Sequence, residues 1–212
     1  MELTTFKAAG ILGGTAAASA GAYGAYRLSS LNSSETIRSK LEDHFKGTNT
    51  VFLTSDHSEW SKLGTRYNAL ANKPKSKDGK ATLTLDEAKA WCADSVKERF
   101  KSFEDDLFKQ VKEVCFLNVK TLLEELGKTS LKSTENANHT YWQGAWETYK
   151  NDSEKESKGL KIKDADKEND LNGSGATKEK GGPALHAWCT ATKDRKMYDA
   201  ESLLPAFKAW CV

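Results

Sequence analysis

The chain has 212 residues, of which 38% are hydrophobic and 29% charged, with a mean hydropathy of -0.66 and a formal net charge of +2. That near-neutral balance gives no electrostatic reason to expect nucleic acid as a partner, and the length bounds the chain to one domain or two small fused units. Three prolines against abundant Lys, Glu, Leu and Ala favour helices over strands, so a mostly α fold is expected.

Ala8 to Tyr26 carries no charge and is just long enough to cross a hydrocarbon layer of about 30 Å. Ile11 and Leu12 are its only large aliphatics, while Gly10, Gly14, Ala18 and Ala22 form a four-residue ladder of small residues, as do Gly13, Ala17, Gly21 and Ala25. Such ladders let helix backbones approach closely in lipid. Phe6, Tyr23 and Tyr26 suit the two interfaces. Residues 1–28 therefore read as a membrane anchor: a transmembrane helix or signal anchor that meets the lipid bilayer through residues 8–26. A cleaved signal peptide is a second reading, since Ala18-Ser19-Ala20 fits the small-x-small rule, and a disordered Gly/Ala tail is a third. Arg27, Arg38 and Lys40 follow the segment and only Lys7 precedes it, which by charge alone favours a cytoplasmic body. The cysteines described below argue for the opposite orientation.

The body divides into a first helical repeat over 29–127 and a second over 128–212. After a Ser-rich linker, Ser34 is placed to cap a helix with Ile37, Leu41 and Phe45 on one face and Gly47 beyond its end. Val51 to Leu53 is a short strand or a core-facing turn. Trp60, Leu63, Tyr67 and Leu70 stand at helical steps between Glu59 and Asn72, and Pro74 with Asp78-Gly79 marks a loop. Thr84 and Glu87 form a capping box, after which Leu85, Ala88, Trp91, Cys92, Ser95, Val96 and Phe100 share a face. A further helix is predicted from Ser102 toward Gly127, bent or broken near Asn118. Tyr141 to Tyr149 is the next helix. Residues 150–182 hold Leu160, Ile162 and Leu171 as their only large apolar side chains, so a mobile, disordered insertion is expected there. The helical pattern resumes from Ala184 to Val212.

The two halves share a pattern. Trp60 and Tyr67 precede Ala90-Trp91-Cys92 and Cys115; Trp142 and Tyr149 precede Ala187-Trp188-Cys189 and Cys211. Lys97-Glu98-Arg99 follows Cys92 much as Lys193-Asp194-Arg195 follows Cys189, one residue closer. The pattern accounts for all four cysteines, and pairing within each half, Cys92 with Cys115 and Cys189 with Cys211, is the choice consistent with duplication. Two structural disulfides imply an oxidising compartment and hence an extracellular body. Reduced thiols, a metal site and a catalytic thiol are the other readings. The spacing suits a metal poorly, with His186 the nearest companion to a cysteine.

The six tryptophans fit core positions, with Trp146, off the shared grid, expected at the surface. Asp164, Asp166, Glu168, Asp170 and Asn172 alternate like calcium ligands, but an EF-hand counted from Asp164 needs Gly and Glu where Asn169 and Gly175 stand. His44, His57, His139 and His186 are scattered, and no nucleotide, nucleophile-elbow or zinc-protease motif is present. No catalytic residue, metal ligand or cofactor is assigned.

The apolar Gly/Ala-rich start from Ala8 to Tyr26, the Trp-Cys pairs and the Lys- and Glu-rich body resemble the paralogous membrane-associated protein families of haemotropic mycoplasmas. The resemblance covers nearly the whole chain as a style of sequence with few fixed positions, and it brings no catalytic residue with it. It implies a cell-membrane protein, single-pass, exposed to the host as a surface antigen or through contact with a host or envelope protein. The competing expectation is a membrane-tethered cytoplasmic scaffold with reduced cysteines.

Overall fold

The computed structural model describes residues 35–212, and the body is mostly helical. The anchor expected at 1–28 and the Ser34 cap lie outside the described residues; among those described, no helix is long and apolar enough to cross a membrane. Thr36 caps α1 (Ile37–His44), its hydroxyl accepting from the Ser39 amide at 3.1 Å, and the helix buries Ile37 and Leu41. Gly47, at φ 81°, turns the chain into β1 (Thr50–Phe52). A 3-10 turn (Ser58–Lys62) and α2 (Gly64–Ala69) follow where one helix was expected. The Leu63 N–H bonds back to the Trp60 carbonyl at 3.3 Å, the tighter i,i+3 pattern.

The Thr84–Glu87 capping box opens α3 (Leu85–Ser95) as expected. Asp105 caps α4 (Asp106–Cys115), which presents Phe108, Val111, Val114 and Cys115 inward. The helix predicted toward Gly127 stops at Cys115. Phe116, Leu117 and Asn118 instead form β2, antiparallel to β1, with Thr50 opposite Asn118, Val51 opposite Leu117 and Phe52 opposite Phe116. Both Phe116 and Leu117 are buried, on opposite faces of the strand. Thr121 then opens α5 (Leu122–Glu125) with a second capping box to Glu124.

The remainder comprises α6 (Thr140–Asn151), α7 (Glu168–Leu171), α8 (Lys178–Thr192), α9 (Met197–Ala200), a 3-10 turn (Glu201–Leu203) and α10 (Leu204–Cys211). Two apolar clusters result. The first gathers Ile37, Leu41, Leu53, Trp60, Tyr67, Cys92, Val111 and Cys115; the second gathers Leu122, Trp142, Tyr149, Leu185, Cys189, Phe207 and Cys211. Leu122, Leu123 and Leu126 pack with the second cluster, so the core changes over between Leu117 and Leu122.

The segment 150–182, expected to be mobile, is folded. Ile162 and Leu171 are fully buried in the second cluster, and Leu160 packs against it. The few apolar residues suffice because polar groups lock the rest. Asn172 donates to the Ile162 carbonyl at 3.1 Å and to Glu168 at 3.0 Å and accepts from the Tyr149 hydroxyl, while Lys150 caps the Asn172 carbonyl at 2.9 Å. The last residues of the segment open α8. Gly181 and Gly182 there meet α6 so closely that a Cβ on Gly181 would stand 2.1 Å from the Trp146 ring, and one on Gly182 2.8 Å from the Gln143 amide.

Candidate functional site

The four cysteines form two disulfides, Cys92–Cys115 with Cα atoms 5.7 Å apart and Cys189–Cys211 with Cα atoms 5.5 Å apart. All four residues are fully buried. The first bond ties the Trp-Cys helix α3 to α4, the next helix, and the second ties α8 to α10, with α9 lying between them in the chain.

The same main-chain bonds recur around each disulfide. Ile37 N–H donates to the Glu98 carbonyl and Arg38 N–H to that of Val96, both at 2.9 Å; Leu122 N–H donates to Arg195 at 3.0 Å and Leu123 N–H to Lys193 at 3.2 Å. Val96 and Lys193 each stand four residues past a cysteine, and Glu98 and Arg195 six. Glu98 is thus the spatial counterpart of Arg195. The likeness of Lys97-Glu98-Arg99 to Lys193-Asp194-Arg195 runs one residue out of this register. Leu53 N–H reaches the Cys115 carbonyl at 2.8 Å, and Lys132 N–H the Cys211 carbonyl at 2.7 Å.

The tryptophans and histidines divide in the same way. Trp60 and Trp142 are buried, and their indole N–H groups donate to the carbonyls of Thr54 at 2.8 Å and Glu135 at 3.1 Å. Three residues before each stands a histidine whose Nδ1 accepts a helix-start amide: His57 from Glu59 at 3.2 Å, His139 from Tyr141 at 3.1 Å. Two of the four histidines are therefore matched caps; the shared His-x-x-Trp spacing was the signal for them. Trp146, expected at the surface, is buried under Gly181 and donates to the Leu171 carbonyl at 3.1 Å. Trp188 is buried, whereas Trp91 in the first triplet is half-exposed. No group of three or more His, Cys, Asp or Glu that could hold a metal ion occurs among the described residues.

The seam between the clusters brings together residues that sequence reading did not connect. Glu59, 5% exposed, accepts from the Lys62 ammonium at 2.8 Å and from the Tyr198 hydroxyl at 2.9 Å. Arg66 donates to the Tyr198 carbonyl at 2.7 Å and lies 3.9 Å from the Asp199 carboxylate. Glu125 accepts from Asn49 at 2.8 Å and from Asn118 at 3.0 Å. Burial opposes ionisation of Glu59, but the hydrogen bonds from Lys62 and Tyr198 outweigh it and hold its carboxyl below the usual value. Burial, then the bond to the Glu59 carboxylate, holds the Tyr198 phenol well above its own. The two shifts move apart, so the pair is a fixed donor–acceptor contact near neutral pH, unlike an acid–base pair tuned to exchange a proton there. Beside it opens a cleft of about 600 Å³ with Phe45, Phe116, Leu117 and Met197 among its apolar walls and Arg66, Lys112 and Glu113 at its polar ones.

No protein-family model matches the chain, and no significantly similar curated protein or solved structure was found.

Proposed function

We propose that this is a membrane-anchored surface protein without catalytic activity, presenting a disulfide-stapled helical body outside the cell for host contact or antigenic display. In this reading residues 8–26 hold the bilayer, and the body consists of two diverged repeats. The observation that carries the reading is the use of all four cysteines in two buried disulfides at matched positions. Such bonds persist in oxidising compartments, and each adds about 3 kcal/mol by restricting the unfolded chain. The recurrence of the Ile37–Arg38 and Leu122–Leu123 main-chain bonds, the His-x-x-Trp caps and the Leu53 and Lys132 bonds supports descent of both halves from one unit.

Trypsin treatment of intact cells tests the orientation. An outward body releases peptides ending at exposed lysines such as Lys158 and Lys178, and non-reducing peptide mapping recovers Cys92 joined to Cys115 and Cys189 to Cys211. Complete protection from trypsin together with four free thiols would instead establish the cytoplasmic scaffold.

A further inference from the structure

The chain holds one Asn-Gly dipeptide, Asn172-Gly173, at the end of α7. Its surroundings demand each member for a separate reason. The Asn172 Nδ2 donates to the Ile162 carbonyl at 3.1 Å and to the Glu168 carboxylate at 3.0 Å, and its Oδ1 accepts from the Tyr149 hydroxyl. To fill this place a group must donate twice on one side and accept on the other, which a carboxamide does and a carboxylate does not. Tyr149 is fully buried and also accepts from the Ile162 amide at 3.3 Å, so the carboxamide and the phenol together tie Ile162 and the end of α7 to α6.

Gly173 is fixed by space. A Cβ there would stand 2.4 Å from the Asn169 carbonyl oxygen, and main chain cannot give way as a flexible side chain can. Its N–H closes α7, donating to the Glu168 carbonyl at 3.2 Å and to the Asn169 carbonyl at 3.1 Å.

Side by side, these two requirements create a chemical weakness. In an Asn-Gly sequence the glycine nitrogen attacks the asparagine Cγ without hindrance from a side chain. A new C–N bond closes a five-membered succinimide, the Cγ–Nδ2 bond breaks, and Nδ2 leaves as ammonia with the proton of the attacking nitrogen. Water then opens the ring, its hydroxyl going to either carbonyl carbon and its proton to the ring nitrogen. The product is aspartate or, with the chain rerouted through the side chain, isoaspartate. In the fold both ends of this reaction are restrained. A ψ of -17° at Asn172 turns the Gly173 nitrogen away from Cγ, that nitrogen is hydrogen-bonded within α7, and the leaving Nδ2 is held by two acceptors.

We propose that Asn172 is a one-way latch on the 150–182 segment: the segment stays closed while residue 172 is an amide, local opening exposes Asn172-Gly173 to deamidation, and the deamidated segment no longer closes. The new oxygen takes the place of Nδ2 and faces the Ile162 carbonyl and the Glu168 carboxylate, acceptors without a donor and two like charges together. The Lys150 ammonium is already engaged by the Asn172 and Gly173 carbonyls at 2.9 and 2.8 Å. Isoaspartate in addition lengthens the main chain by one carbon where Lys150 grips it.

Peptide mapping of the full chain by mass spectrometry, after incubation in neutral buffer, tests the latch. In denaturant the amide-to-acid mass shift appears at Asn172 before any other asparagine, since every other one precedes a residue with a side chain. Folded wild type acquires it at least about tenfold more slowly, because the reaction waits on opening. Tyr149→Phe keeps the ring but removes the hydroxyl that holds Oδ1 and Ile162, and it raises the folded rate about tenfold. Asn172→Asp, and wild type aged until it carries isoaspartate, are both cut by trypsin at Lys163 and Lys167 at least about tenfold faster than fresh protein, with the disulfide map unchanged. The aged wild type folded before it was modified, so it decides the matter even where Asn172→Asp does not fold. Deamidation as fast in the fold as in denaturant, a rate unmoved by Tyr149→Phe, or deamidated protein as resistant to trypsin as fresh protein would each overturn the proposal.

Discussion

Gly181→Ala isolates how α8 lies on α6. In an open helix Ala is favoured over Gly by about 1 kcal/mol. Here a Cβ would stand 2.1 to 2.3 Å from three atoms of the Trp146 indole, which cannot retreat without leaving its bond to the Leu171 carbonyl. Overpacking of this kind costs about 1 to 3 kcal/mol, and loss of the hydrogen bond about 1 more. After subtracting the propensity gain, a net loss of about 1 to 3 kcal/mol remains, which for a chain of this size lowers the thermal midpoint by about 3 to 9 °C. Gly144→Ala is the internal control: it is also helical, but a Cβ there meets nothing within 4 Å, so it gains about 1 kcal/mol. Thermal melts followed by circular dichroism measure both. In a Trp146→Ala background the Gly181→Ala penalty should vanish, since the clashing ring is gone. Stabilisation by Gly181→Ala equal to that of Gly144→Ala would refute the close packing of the two helices.

Trp188→Ala should cost about 3 to 5 kcal/mol, the usual range for truncating a buried aromatic, and Trp91→Ala clearly less because Trp91 is half-exposed; equal urea midpoints for the two variants would contradict this. The Glu59 carboxyl is depressed below its ordinary 4.5, so its contribution is complete near neutrality and is lost as pH falls through its folded value. The stability gap between wild type and Glu59→Gln should therefore shrink in acid, and a gap independent of pH would show that Glu59 adds nothing by its charge. Replacing Cys189 and Cys211 together by Ala should destabilise by about 3 kcal/mol in denaturant titrations; no change would mean that the unfolded chain gains no freedom on losing the loop. Deleting residues 152–176 removes Ile162 and Leu171 from the core and should abolish cooperative melting of the second cluster, whereas an unchanged midpoint would restore the reading of this segment as a dispensable insertion.

What the sequence determined by itself was what neighbouring residues decide. The Thr84–Glu87 capping box, the face carrying Leu41 and Ile37, and the turn at Gly47 depend on side chains a few positions apart, and their spacing is legible directly. The disulfide partners were also legible, because each pair falls within one repetition of the pattern. The Thr121–Glu124 box and the two His-x-x-Trp caps are equally local, and their signals stood in the sequence unread. Tertiary structure decided the rest. Phe116 leaves the helix because β1, far back in the chain, offers it a strand partner. Residues 150–182 fold because Tyr149, Trp146 and Lys150 receive them, which composition averaged over the segment cannot register. The Glu59–Tyr198 contact joins residues 139 positions apart. Polar side chains at such separation carry no periodicity, and only the packing of one core beside the other brings them within hydrogen-bonding distance.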